Sequence, residues 1–168
     1  MVSKNYKHWI TQLDIKTCLP CASNHGKIYT ANEIISPTPP LHSRCRCVIE
    51  WLKALFAGTA TQKSKNGADW WLKHFGILPS YYITPSAAKS YGYIPVLGNL
   101  SLVAPGKLLT KGPYKNRNGH LPQAPGRTWN EADINYTSGY RGSDRILYSN
   151  DGLVFVTYDH YKTFQEII

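Results

Sequence analysis

All four cysteines of this 168-residue chain fall between residues 18 and 47. They read Cys18-Leu-Pro-Cys21 and then His42-Ser-Arg-Cys45-Arg-Cys47. Each short knuckle can offer two ligands to one ion, and a gap of about twenty residues between knuckles is ordinary for tetrahedral zinc. The expected ligands of a structural zinc are Cys18, Cys21, His42 and Cys45. Cys47 is the alternative to Cys45, or joins it in place of His42, and His25 is a weaker candidate. Disulfides are the rival explanation, with free thiols behind them.

The cysteines thus mark off a front module, and the rest of the chain divides accordingly. Residues 1–57 are read as a Cys/His-rich zinc-knuckle-like unit ending in a short helix over Val48–Ala57 (VIEWLKALFA). Residues 58–66, small and polar, are read as a linker. The body runs over 67–168. A helix is expected at WWLKHF, with Asp69 as N-cap and Gly76 as C-cap, and a second behind Thr84-Pro85. After Gly92 come strands and turns, with Asn118-Gly119 and Asp151-Gly152 as tight-turn signals and Leu153–Tyr158 as the last strand. Helices followed by antiparallel strands make an α+β order.

With 42% hydrophobic residues the chain can pack a core, and its formal charge of +9 favours an anionic partner, nucleic acid first. Residues 1–65 carry nine Lys or Arg against three Asp or Glu, residues 66–168 ten against seven, so the excess lies mainly in front. No signal peptide is evident, because the N-terminal lysines precede no continuous apolar core. VIEWLKALFA is too short and too charged to span a bilayer, so no membrane role is expected.

In the body, WNEADINYTSGYRGSDRILYS (129–149) sets Glu131 and Asp133 before Arg141 and Arg145. Residues two apart on a strand share a face, so both carboxylates project to one side while Ala132 and Ile134 point away. Thr137–Gly142 reads as a turn that lets carboxylates and arginines meet across a hairpin. On residue types alone this is a solvated face with weak ion pairs, or a carboxylate among guanidinium groups as phosphoryl chemistry requires.

The body resembles the barnase and binase group of microbial ribonucleases from about residue 67 to the C-terminus. The resemblance is carried by VAPGK (103–107), NR (116–117), GRTWNEADINYTSGYR (126–141), SDRILYS (143–149) and DHYKTF (159–164). It implies N-terminal helices packed on a five-stranded antiparallel sheet whose open face holds the active site. It also implies Glu131 as general base, His160 as general acid, Arg141 and Arg145 as phosphate-binding arginines, and Tyr161 as a substrate-contacting aromatic. Asp133 matches a buried carboxylate that holds the arginines. Tyr114, Lys115, Asn116, Arg117 and Asn118 fall in or beside the loop that reads guanine. The chemistry suits these types: a base takes the 2′-OH proton while an acid protonates the departing 5′ oxygen, and no catalytic metal is implied.

Two positions depart from the family. A lysine near the start of the second helix, which supports the phosphate site, is Pro85 here; the alternatives are lower activity or partial replacement by Lys89 one turn later, with replacement the less favoured. A glutamate that accepts from the guanine edge is Asn118, which accepts without charge, so guanine preference is expected to weaken or relax.

The front resembles the C-terminal part of phage head-morphogenesis (minor head, MuF-type) proteins, through WITQLDIKTCLPCASNHGKIY (9–29) and PPLHSRCRC (39–47). That family carries variable toxin domains at its C-terminus. The combined expectation is a monomeric endoribonuclease toxin that cleaves single-stranded RNA to a 2′,3′-cyclic phosphate and then hydrolyses it. It would be delivered on a larger phage or secreted carrier, act in the target-cell cytoplasm, and be restrained by an acidic barstar-like immunity protein. The alternative is a catalytically weakened RNA-binding or phage-structural module.

Overall fold

A computed structural model describes residues 1–168. In chain order it runs β1 (Val2–Thr11), α1 (Leu19–Asn24), β2 (Ile28–Thr30), β3 (Cys47–Leu55), α2 (Ala68–Phe75), β4 (Tyr82–Ile83), α3 (Pro85–Ser90) and α4 (Leu100–Val103). Then come β5 (Leu108–Tyr114), β6 (Trp129–Asp133), β7 (Arg145–Ser149), β8 (Val154–Thr157) and β9 (Gln165–Ile167). No helix is long and apolar enough to cross a membrane.

The result is a mixed α/β fold around one nine-stranded sheet, ordered β2-β1-β3-β9-β8-β7-β6-β5-β4. Strands β5 to β9 form an antiparallel run of five, to which β4 adds in parallel at one edge. At the other edge the front module continues the same sheet, since β3 lies parallel to β9 with Ala54 opposite Glu166 and Leu55 opposite Ile167. The final strand is β9, beyond the Leu153–Tyr158 run.

The helix expected over Val48–Ala57 is instead strand β3. Its buried Leu52 and Ala54 alternate with exposed Trp51 and Lys53, a period of two. A short apolar run does not reveal its period unaided, and here pairing with β1 on one side and β9 on the other fixes it.

Asp69 is likewise not an N-cap, because α2 starts one residue before it, behind Gly67. Fully buried, Asp69 reaches back: Oδ2 accepts from the Gly58 and Ala60 N–H groups at 2.7 and 2.9 Å, and Oδ1 from the Thr61 hydroxyl at 2.9 Å. The preceding segment has unpaired donors within reach, and a buried carboxylate needs them. Residues 58–66 therefore connect the two units as a clasped strap. Gly76 closes α2 in the left-handed conformation (φ 70°), and Thr84 caps α3 by accepting from Ala87 N–H at 3.1 Å.

The two faces of the sheet bury different partners. On one, Ala132, Ile146, Val154 and Val156 pack on Ala68 and Leu72 of α2, each large side chain contributing roughly 1.5–3 kcal/mol. On the other, Trp129, Leu147 and Phe155 are covered by Tyr6, Ile28 and Leu52 of the front module, with Phe164. Glu131 lies on that second face, opposite Leu147, with Trp129 to one side and Asp133, opposite Arg145, to the other. The carboxylate thus sits where apolar cover ends.

Candidate active site and the cysteine cluster

The alternation of β6 does place Glu131 and Asp133 on one face, but they meet different cations. Asp133 is almost fully buried and takes both arginines: Arg141 Nη2 donates at 2.8 Å, Arg141 Nε also donates, and Arg145 Nε lies 3.1 Å from Oδ1. Arg145 Nη1 donates to the carbonyls of Gly142 and Asp144 at 2.7 and 2.8 Å. Burial works against the charge of Arg141, and the Asp133 carboxylate outweighs it, raising the guanidinium pKa.

Glu131 meets neither arginine. Its Oε1 is 3.3 Å from Lys111 Nζ, and its Oε2 accepts from the Tyr161 hydroxyl at 2.6 Å. Burial, and then the Glu131 carboxylate, push the Tyr161 phenol pKa up, so Tyr161 is a donor at neutral pH. Lys111 also lies 3.4 Å from the Tyr161 hydroxyl. Sequence reasoning missed Lys111, whose only local signal is a charge in the middle of β5. Lys89 is exposed on α3 and does not line the Glu131 cleft, and Pro85 has no cation to offer.

His160 is exposed and lines the same cleft as Glu131. Both His160 and Tyr161 are left-handed (φ 58° and 69°), a conformation that costs side-chain-bearing residues of order 1–3 kcal/mol each. Asp159, also missed, organises this loop. Its Oδ1 accepts from Thr157 Oγ1 and the N–H groups of Lys162 and Thr163 at 2.9, 3.1 and 2.9 Å, and its Oδ2 from Thr163 Oγ1 at 2.6 Å. Burial opposes the Asp159 charge, but these donors prevail and its pKa is lowered.

The loop over 114–119 forms the facing rim. Asn116, buried and left-handed (φ 43°), ties the loop shut: Nδ2 donates to Leu121 O at 2.8 Å and Oδ1 accepts from Leu121 N–H at 3.1 Å. Its side chain is thus occupied within the protein. Asn118 Nδ2 is 3.2 Å from His120 Nδ1, which is also 3.2 Å from Tyr161 O. Tyr114 stacks on Tyr161 with ring centroids 5.5 Å apart. Lys115 and Arg117 complete the cationic edge. The cleft encloses about 1090 Å³.

All four cysteines are free, so no disulfide forms. Cys18 Sγ and Cys21 Sγ lie 3.2 and 3.4 Å from His42 Nε2, and Cys21 Sγ lies 3.7 Å from Cys45 Sγ. Edges of a zinc tetrahedron built from bonds of about 2.0–2.3 Å run roughly 3.3–3.8 Å, close to these three separations, although Cys18, Cys21, His42 and Cys45 do not close as one set of four. His42 Nδ1 is 2.8 Å from Ser43 O, which turns Nε2 toward the thiols. Cys21 joins two triads, one with Cys18 and His42, the other with Cys45 and Cys47. His25 stands outside both, accepting from Thr11 N–H through Nδ1 at 3.1 Å. Burial resists the Cys45 thiolate, yet backbone donors at Cys47 and Leu41 hold its pKa down to about 6.

A family model described as ribonuclease matches residues 72–168. Over 102 residues the chain is 49% identical to a ribonuclease of Heyndrickxia coagulans, covering 61% of this chain and 94% of that relative. It is equally 49% identical over 102 residues to ribonucleases of Bacillus intermedius and Bacillus pumilus, spanning 63% of the length of each.

Proposed function

The chain belongs to the ribonuclease family, and we propose that it is an endoribonuclease that cleaves single-stranded RNA by transesterification, with Glu131 as base and His160 as acid. The observation that carries this reading is that the single carboxylate lining the cleft, the buried Glu131, shares it with the exposed imidazole of His160. Glu131 takes the 2′-OH proton and the 2′ oxygen attacks phosphorus. The bond to the 5′ oxygen breaks, and that oxygen leaves with a proton from His160. Water then opens the 2′,3′-cyclic phosphate with the two roles exchanged. Without a 2′-OH the first step has no nucleophile, so DNA is not a substrate.

Lys111 sets its ammonium against the Glu131 carboxylate, and Tyr161 fixes the rotamer of that carboxylate. Arg141 and Arg145, fixed by Asp133, supply positive potential to the phosphoryl oxygens. Asn116 and Arg117 shape the base-reading loop, and with Asn118 uncharged, guanine preference is reduced. The front cluster holds a structural zinc, whose bonds tie α1 to the start of β3. The toxin reading, a carrier-delivered effector checked by an acidic inhibitor, rests on the resemblance of the front module and on the cationic cleft.

The test compares cleavage of a single-stranded oligoribonucleotide by wild type, Glu131→Gln and His160→Gln. Each variant is expected to lose roughly 10²- to 10⁴-fold in kcat. Equal rates in all three would end the reading. Mass spectrometry under non-denaturing conditions is expected to find one zinc per chain, and a metal-free protein would remove the metal assignment.

A further inference from the structure

The cleft has a wall that the ribonuclease body does not supply. Beside Lys115, Arg117, Glu131, His160 and Lys162 it is lined by Ser23, His25 and Lys27 of the front module. This wall is built into the fold. The N–H of Ile28 donates to His120 O at 2.9 Å, on the base-loop side. Gly26 N–H donates to Trp9 O at 2.8 Å. Gly26 has φ +83°, and a Cβ there would lie 2.0 Å from Lys162 O, on the His160 side. The segment therefore grips both loops that flank the cleft, and only glycine allows so close an approach.

The electrostatics of this wall point to a polyanion. Lys27, Lys115, Arg117 and Lys162 line the cleft against a single carboxylate, Glu131. Lys27 pairs with no acid, and its ammonium donates only to Asn24 Oδ1 at 2.9 Å. His25 accepts from the backbone through Nδ1, which leaves Nε2–H as a donor, and the exposed Ser23 hydroxyl donates to Pro20 O at 3.1 Å, which leaves its oxygen as an acceptor. A flexible ammonium, an imidazole N–H and a hydroxyl over a five-residue stretch match a phosphodiester and its ribose.

We propose that Ser23–Lys27 and Lys162 form a second nucleotide subsite, binding a phosphate of the RNA strand beyond the scissile one, so that the front module is part of the substrate cleft. This rests on the ribonuclease reading of the same cleft. The subsite holds long strands and leaves a dinucleotide at the scissile position untouched.

The experiment measures anisotropy of labelled 2′-O-methyl oligoribonucleotides, which bind without being cleaved, as a dimer and as an octamer over a salt series. Wild type, Lys27→Ala and Lys4→Ala are compared as full chains, with Lys4 as an exposed lysine away from the cleft. Lys27→Ala is expected to weaken octamer binding about tenfold at low salt, leave dimer binding within about twofold, and flatten the salt slope by about 0.7. An octamer loss no larger than that of Lys4→Ala overturns the subsite, as does an equal loss for the dimer. Tighter octamer binding by Lys27→Ala would also overturn it and mark the wall as an obstruction. Thermal melts identify any unfolded variant, for which Lys27→Gln is the replacement. Wild-type cleavage of unmodified RNA, run alongside, separates failure of the subsite from failure of the ribonuclease reading.

Discussion

Glu131 and Asp133 stand two residues apart on one strand face, yet they live in opposite circumstances. Asp133 is enclosed by Arg141 and Arg145, both of which engage it directly. Glu131 has one ammonium, one phenol and a cleft in front of it. A carboxylate saturated by guanidinium groups cannot give up its role to move protons, whereas one with a single partly exposed cation can. On the proposed mechanism the same residue class on the same strand serves as a strut in one place and as a reagent in the other, and the difference is set by neighbours from elsewhere in the chain.

The sharpest way to break that comparison is to truncate the strut. Asp133→Ala leaves Arg145 buried without its partner and is expected to cost about 3–5 kcal/mol of stability, read by chemical denaturation. Glu131→Gln should instead melt within a few degrees of wild type while its cleavage rate collapses. If both variants lose stability equally, the division of roles fails.

A smaller effect is expected at Lys111. Lys111→Ala should lower kcat about tenfold, with Lys111→Arg recovering most of it, because the guanidinium can still reach Glu131. An unchanged rate would leave Pro85 without a replacement for the family's lysine.

The smallest effect concerns acid. His8, His25 and His120 have pKa values lowered chiefly by burial. The unfolded chain therefore binds their protons more readily, so their contribution to stability is complete above the unfolded value of about 6.5 and drains away as pH falls below it. The melting temperature should fall between pH 7 and pH 5, and His120→Gln should make the slope shallower. A slope that steepens in the variant would reverse the assignment.

Much of this was legible from residue order. The strand alternation at 129–133, the Thr84 cap ahead of Pro85 and the Gly76 stop depend on neighbours a few positions away, and they appear as read. Asp69 and the Val48–Ala57 run were misread because each is decided at longer range. Asp69 answers to donors in the strap before its helix, and the apolar run becomes a strand because β1 and β9 offer it edges. Lys111 was invisible for the same reason, since nothing in a mid-strand lysine announces the carboxylate twenty residues on.

The order of residues alone determined which strand face Glu131 and Asp133 would share, because a period of two is a local property of the backbone. Only the tertiary structure decided which cation each carboxylate received, and that the cysteine module would continue the sheet and wall the cleft. Strand pairing and register bring together residues far apart in the chain, and the energy of those pairings depends on surfaces that no single segment encodes.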